Sequence, residues 1–142
     1  MSTVHLSTTI PALPVESVLR AVEFYTDRFG FTVRHLDPEG FAVVGRDDAE
    51  IHLWQAGDDG WRARADLAAG PVRSGAETFL AGTASCRVRV DDVDALHAEL
   101  SAAGVLHPDT PGNPVDTDFG TRELATLDLD GNLLTFFGRR AT

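Results

Sequence analysis

The sequence predicts an α+β fold made of two βαβββ modules, and three observations carry that expectation. Apolar residues recur at helical spacing in two stretches. Short runs rich in alternating apolar residues accompany both of them. A repeat relates the two halves: Val15-Glu16-Ser17-Val18 opens the first helix and Val90-Asp91-Asp92-Val93 opens the second, 75 positions later. Each copy reads as a strand, a helix closed by glycine and then three strands, with the loop insertions placed differently, so two modules are expected to build one sheet structure.

The first strand, 7–15, contains Pro11 and Pro14. Proline cannot donate to a strand ladder, so an edge strand or one exchanged between subunits is expected there. A helix follows over 17–29, with Val18, Val22, Tyr25 and Phe29 on one stripe, Ser17 as N-cap and Gly30 as the stop. Strands are expected at 31–36, 41–45 and 49–55, joined by Asp37-Pro38-Glu39-Gly40 and Arg46-Asp47-Asp48. Residues 56–82 read as a long loop rich in Gly, Ala, Asp and Arg, with Trp61 and a short helix around 61–69; loops of that length usually serve a function or lack order. The second module has a strand at 83–90 and a helix at 92–103 with Val93, Leu96, Leu100 and Ala103 as its stripe and Gly104 as its stop. A Pro/Gly-rich loop is expected over 108–118, and strands at 121–128 and 132–138 meet at the turn Asp130-Gly131. This divides a single domain, 1–142, into module one at about 5–56, an insert at 57–82 and module two at about 83–140.

Composition narrows the function. The 142 residues are 43% hydrophobic, enough for a sizeable core. There are 22 Asp and Glu against 12 Lys and Arg, a net charge of −10. Such acidity argues against binding a phosphate backbone or an anionic membrane surface. Cys86 is the one cysteine, so no intrachain disulfide and no cysteine metal cluster is expected, as suits a reducing cytoplasm. Met1–His5 shows no basic run followed by an apolar stretch, and no apolar run approaches membrane-spanning length. A cytoplasmic location is expected.

Three stretches carry a family resemblance: Ala21-Val22-Glu23-Phe24-Tyr25-Thr26-Asp27-Arg28-Phe29-Gly30-Phe31, Val90-Asp91-Asp92-Val93-Asp94-Ala95-Leu96, and Phe119-Gly120-Thr121-Arg122-Glu123 followed by Asp128-Leu129-Asp130-Gly131-Asn132-Leu133-Leu134. The chain resembles the vicinal-oxygen-chelate superfamily of glyoxalase I, extradiol dioxygenases, fosfomycin-resistance enzymes and bleomycin-resistance proteins. Gly-x-Arg-Glu ahead of the Asp-x-x-Gly-Asn turn looks most like the bleomycin-resistance branch. The resemblance covers nearly the whole chain outside the insert. It implies that the paired modules curl a mixed sheet into a cleft, that the protein is a homodimer, and that Pro11 marks the point where this branch exchanges N-terminal strands.

The same resemblance implies three metal-ligand positions in the enzymes of the superfamily. A His fourteen residues before the helix Phe falls on Ile10, its repeat partner 75 residues on falls on Ser85, and a Glu three residues after the Asn of the Gly-Asn turn falls on Thr135. Divalent ions want imidazole nitrogen or carboxylate oxygen, which none of these provides. Of the five histidines, His5, His35, His52, His97 and His107, His52 is the best alternative ligand, but one His without partners is not a site. No metal, no other cofactor and no catalytic residue is therefore expected.

Strand alternation assigns the faces. Ile51, Leu53, Cys86, Val88, Val90, Leu134 and Phe136 point to the core, while Glu50, His52, Trp54, Ser85, Arg87, Arg89, Leu133, Thr135 and Phe137 point to the cleft side. The candidate ligand-binding residues are Phe41, His52, Trp54, Trp61, Arg87, Phe119, Gly120 and Phe137. Aromatic walls stack on planar groups or hold a cation over a ring, contributing roughly 0.5–2 kcal/mol each. Phe41 and Phe137 fit a core position equally well. Trp54 fits a binding or a dimer surface, and Trp61 a lid or an anchor of its own loop. Asp37, Glu39, Asp58, Asp59, Asp116 and Asp118 flank these aromatics and would draw in a cation. Arg62, Arg64 and Arg73 in the insert would oppose one if they line the cleft, and Phe119 stands where some binders of the branch carry the larger Trp.

The expected function is that of a metal-free binding protein that sequesters a cationic aromatic antibiotic of the bleomycin type. Two alternatives stay open: a metal-dependent glyoxalase-like lyase or dioxygenase, and a generic ligand carrier or sensor.

Overall fold

The computed structural model describes residues 3–56, 80–109, 112 and 114–141. Ten elements follow one another: β1 (Ala12–Val15), α1 (Val18–Arg28), β2 (Thr32–Asp37), β3 (Phe41–Arg46), β4 (Ala49–Gln55), β5 (Ser85–Arg89), α2 (Val93–Ala103), β6 (Val115–Asp116), β7 (Thr121–Leu127) and β8 (Leu133–Arg139). They form two four-stranded mixed sheets, ordered β1-β4-β3-β2 and β5-β8-β7-β6. In each sheet the first strand of the module runs parallel to the last and the remaining pairs are antiparallel. The α+β class and the repeated βαβββ order are as the sequence predicts.

The helices begin and end where their capping chemistry says. Ser17 accepts a hydrogen bond from the Arg20 backbone N–H at the start of α1, and Asp92 accepts one from Ala95 at the start of α2. Phe31 and Phe29 both donate to the Tyr25 carbonyl, which closes α1 around the left-handed Gly30. The stripes of both helices face one shared core in which Tyr25, Phe29, Leu13, Ile51, Leu53, Leu100 and Leu134 are wholly buried. Phe29 of the first module lies 6.1 Å from Phe136 of the second, ring to ring.

A buried polar network fastens the modules together. Asp128 accepts from the Tyr25 hydroxyl at 2.8 Å, from the Asn132 amide at 3.0 Å and from the backbone N–H groups of Asp130, Gly131 and Asn132. Asn132 donates in turn to the Pro14 carbonyl and accepts from Ala84. The Asp-x-x-Gly-Asn turn thus joins α1, β1 and the lead-in to β5. Asp130 accepts from Glu16 N–H, and its carbonyl lies where a Cβ on the left-handed Gly82 would sit.

The structure departs from the sequence reading in three places. The first strand begins at Ala12 and not at residue 7. Pro11, placed within that strand by the sequence, lies just before it. Its carbonyl accepts from His52, but it has no N–H to carry the ladder further, and residues 3–10 are exposed. The stretch 108–118, predicted as loop throughout, contains β6, the first of the three strands after α2, whose two residues are too short for alternation to reveal. The first of the three strands after α1 is bulged between Val33 and His35, which sends Arg34 across Gly45. The insert proposed at 57–82, with its helix around 61–69, lies outside the described residues up to residue 79.

Candidate functional site

Alternation along β4 sets one wall. Ile51 and Leu53 are buried in the core, while Glu50, His52 and Trp54 share the other face. Register brings Phe41 of β3 opposite Trp54 and Val43 opposite His52. The Phe41 and Trp54 rings lie 4.5 Å apart, and the His52 ring meets Phe41 edge-on at 5.3 Å. His35 of β2 adds a fourth ring, 5.7 Å from Phe41. His52 Nε2 lies 3.0 Å from Glu50 Oε2, and the Arg34 guanidinium donates to Glu50 Oε1 at 3.4 Å and to the Asp47 carbonyl at 2.8 Å. The result is a half-buried aromatic cluster with a carboxylate at its edge.

The second sheet presents a different surface. Arg87 of β5 is opposite Thr135 of β8, and Phe137 of β8 is opposite Glu123 of β7. Arg87 reaches diagonally over the Phe137 ring, 4.6 Å from its centroid, and donates to both Glu123 oxygens at 3.2 and 2.6 Å. These bonds hold the Glu123 carboxyl below the usual carboxylate range and push the Arg87 guanidinium up. Arg89 lies 5.6 Å from the same ring. Beside this cluster is a cavity of about 330 Å³ lined by Val115, Glu123, Ala125, Leu133 and Thr135, among others. Phe119, strongly exposed, and the left-handed Gly120 form the turn before β7, where Arg140 donates to the Gly120 carbonyl.

The structure therefore brings together Phe41, His52 and Trp54 on one sheet, and Arg87 and Phe137 on the other. Phe41 and Phe137 both lie on the face opposite the core. Trp61 lies outside the described residues, as do Asp58, Asp59, Arg62, Arg64 and Arg73. Sequence reasoning missed His35, because a bulge shifts its register, and the site role of Glu123, although it sits in the Gly-x-Arg-Glu motif.

The positions at which the family resemblance places metal ligands do not fit one here. Ile10 is an exposed aliphatic residue ahead of β1, Ser85 begins β5, and Thr135 is buried in mid-β8. His52 with Glu50 makes two donors, and among the described residues no group of three or more His, Cys, Asp or Glu side chains is placed to hold an ion.

Comparison with known proteins gives a consistent set of relatives. Residues 4–136 match the model of the Glyoxalase/Bleomycin resistance protein/Dioxygenase superfamily. A bleomycin resistance protein of Geobacillus stearothermophilus is 44% identical over 128 residues, covering 90% of this chain and 93% of that protein. The fold matches the bleomycin resistance determinant encoded on the transposon Tn5, with a TM-score of 0.69 at 20% identity over 96% of this chain and 100% of that one. It also matches the bleomycin-binding protein of bleomycin-producing Streptomyces verticillus complexed with copper(II)-bleomycin, with a TM-score of 0.67 at 25% identity over 97% of this chain and 100% of that one.

Proposed function

The chain belongs to the glyoxalase/bleomycin resistance protein/dioxygenase superfamily, and from that premise we propose that it confers antibiotic resistance by binding and sequestering a bleomycin-type antibiotic. The observation that carries this function is the 44% identity to a bleomycin resistance protein over nearly the full length of both chains. The residues agree with it. Ile10, Ser85 and Thr135 supply no metal donors where the lyases and dioxygenases of the superfamily need them, so affinity and not bond-making is the work proposed.

The ligand proposed is cationic and aromatic. Phe41, Trp54 and His52 offer ring faces and edges with Glu50 beside them, and Phe137 and Glu123 repeat that pairing on the other sheet. Phe119 and Gly120 are proposed to complete the contact surface from their turn, with Trp61 added from the insert. The unit proposed is one domain of two modules, about 5–56 and 83–140, around the insert. It is proposed to act in the cytoplasm as a homodimer that exchanges N-terminal strands at Pro11. Support for the exchange comes from residues 3–10, which are exposed and include Leu6, strongly exposed.

Isothermal calorimetry with bleomycin tests the function. Saturable binding by protein freed of metal with a chelator is expected. Binding that requires added metal would favour the enzyme alternative.

A further inference from the structure

Glu123 is a prepared anion. Its side chain is only 17% exposed, and Thr121 fixes it with a hydroxyl hydrogen bond of 2.6 Å. Directly beside it lies the face of Phe137, and the two together form the arrangement that recognises a planar organic cation: a carboxylate to take paired N–H donors and a ring to lie under the charge. The chain's own guanidinium fills that arrangement. Arg87 donates to both carboxylate oxygens while covering the ring, and its side chain is 47% exposed. The adjoining cavity of about 330 Å³ has Glu123 in its wall together with Val115, Ala125 and Leu133, which leaves an apolar space next to the acid.

We propose that Glu123 and Phe137 form a subsite for an amidinium- or guanidinium-type group carried on a flat ligand, and that Arg87 is its internal competitor, which a ligand must displace. The inference rests on the proposed binding role of this cleft, and adds the chemical class that the subsite selects and the residue that sets its threshold. Displacement is feasible because the Arg87 end of the pair is half-open to water. Ion pairs of that kind are weak, so the penalty that Arg87 imposes on a ligand is about two- to fivefold in affinity.

Benzamidine is the probe, titrated by calorimetry into the full-length wild type and into Arg87→Gln. Because Arg89 lies over the same ring, Arg87→Gln/Arg89→Gln is measured beside them. Arg87→Gln is expected to bind benzamidine about two- to fivefold more tightly than wild type, the double variant at least as tightly, and addition of Glu123→Gln is expected to abolish the gain. No gain in either variant, or a gain that survives loss of Glu123, would overturn the proposal. A wild-type measurement stands beside these: saturating benzamidine should shift the Arg87 Nε resonance, and binding that leaves it unmoved contradicts displacement. Bleomycin titrated into the same proteins keeps the two ideas apart. Absence of bleomycin binding throughout would remove the antibiotic function, while the benzamidine series alone decides the role of Arg87.

Discussion

Tyr25 shows how single residues divide between holding the fold and serving the cleft. It is the chain's only tyrosine, wholly buried, and its hydroxyl donates to Asp128. Burial, reinforced by the Asp128 charge, raises its pKa well above 10. A raised folded-state pKa gives stability that is present below pH 10 and lost as pH climbs past it, since the unfolded chain then releases a proton that the folded chain keeps. Tyr25→Phe is expected to lose about 1–2 kcal/mol at neutral pH in urea unfolding, and to show a smaller further loss than wild type above pH 10. Trp54 is the residue proposed for the other role. It is half-buried on the cleft face against Phe41, so Trp54→Ala is expected to weaken bleomycin binding by about 0.5–2 kcal/mol in calorimetry. These two roles were legible for different reasons. Alternation in β4 put Trp54 opposite the core, whereas Tyr25 read as one more member of an apolar stripe. Its partner Asp128 is 103 positions away, beyond any local pattern.

Elements are held to one another by charge as well as by packing. Arg46, at the end of β3, donates to both oxygens of Glu99 on α2 at 2.6 and 2.9 Å and to the Phe29 carbonyl at the end of α1. Arg28 of α1 donates to the Ala103 carbonyl at the end of α2. The Arg46 hydrogen bonds lower the Glu99 carboxyl below its ordinary 4.5. A lowered carboxyl contributes stability above pH 4.5 that is lost as pH falls through the folded value. Glu99→Gln is therefore expected to lose less stability than wild type on acidification below that point, as followed by thermal unfolding across pH. The helices were the most legible elements, because Ser17, Asp92, Gly30 and Gly104 announce their ends. Least legible was β6, two residues whose place is set by pairing with β7 rather than by any period of its own. The start of β1 was also hidden, since a proline tells of an edge without telling on which side of it the ladder stops.

At the scale of the whole molecule, two similar modules share one core and leave two aromatic surfaces, each with a carboxylate beside it. The resemblance to the superfamily implies the donor positions of its enzymes, and the repeat supports the count, because Ile10 and Ser85 occupy matching places 75 positions apart. The Arg87–Glu123 pair was not, since it crosses β8 diagonally between residues 36 positions apart. A net charge of −10 attracts cations at long range, so if the ligand is cationic, as proposed, its affinity should fall as salt rises. The most direct test of sequestration without chemistry is a calorimetric titration of bleomycin into chelator-treated protein at low and high salt. Saturable binding, weaker at high salt and with bleomycin recovered intact, is the expected result. Absence of saturable binding under both conditions would contradict it.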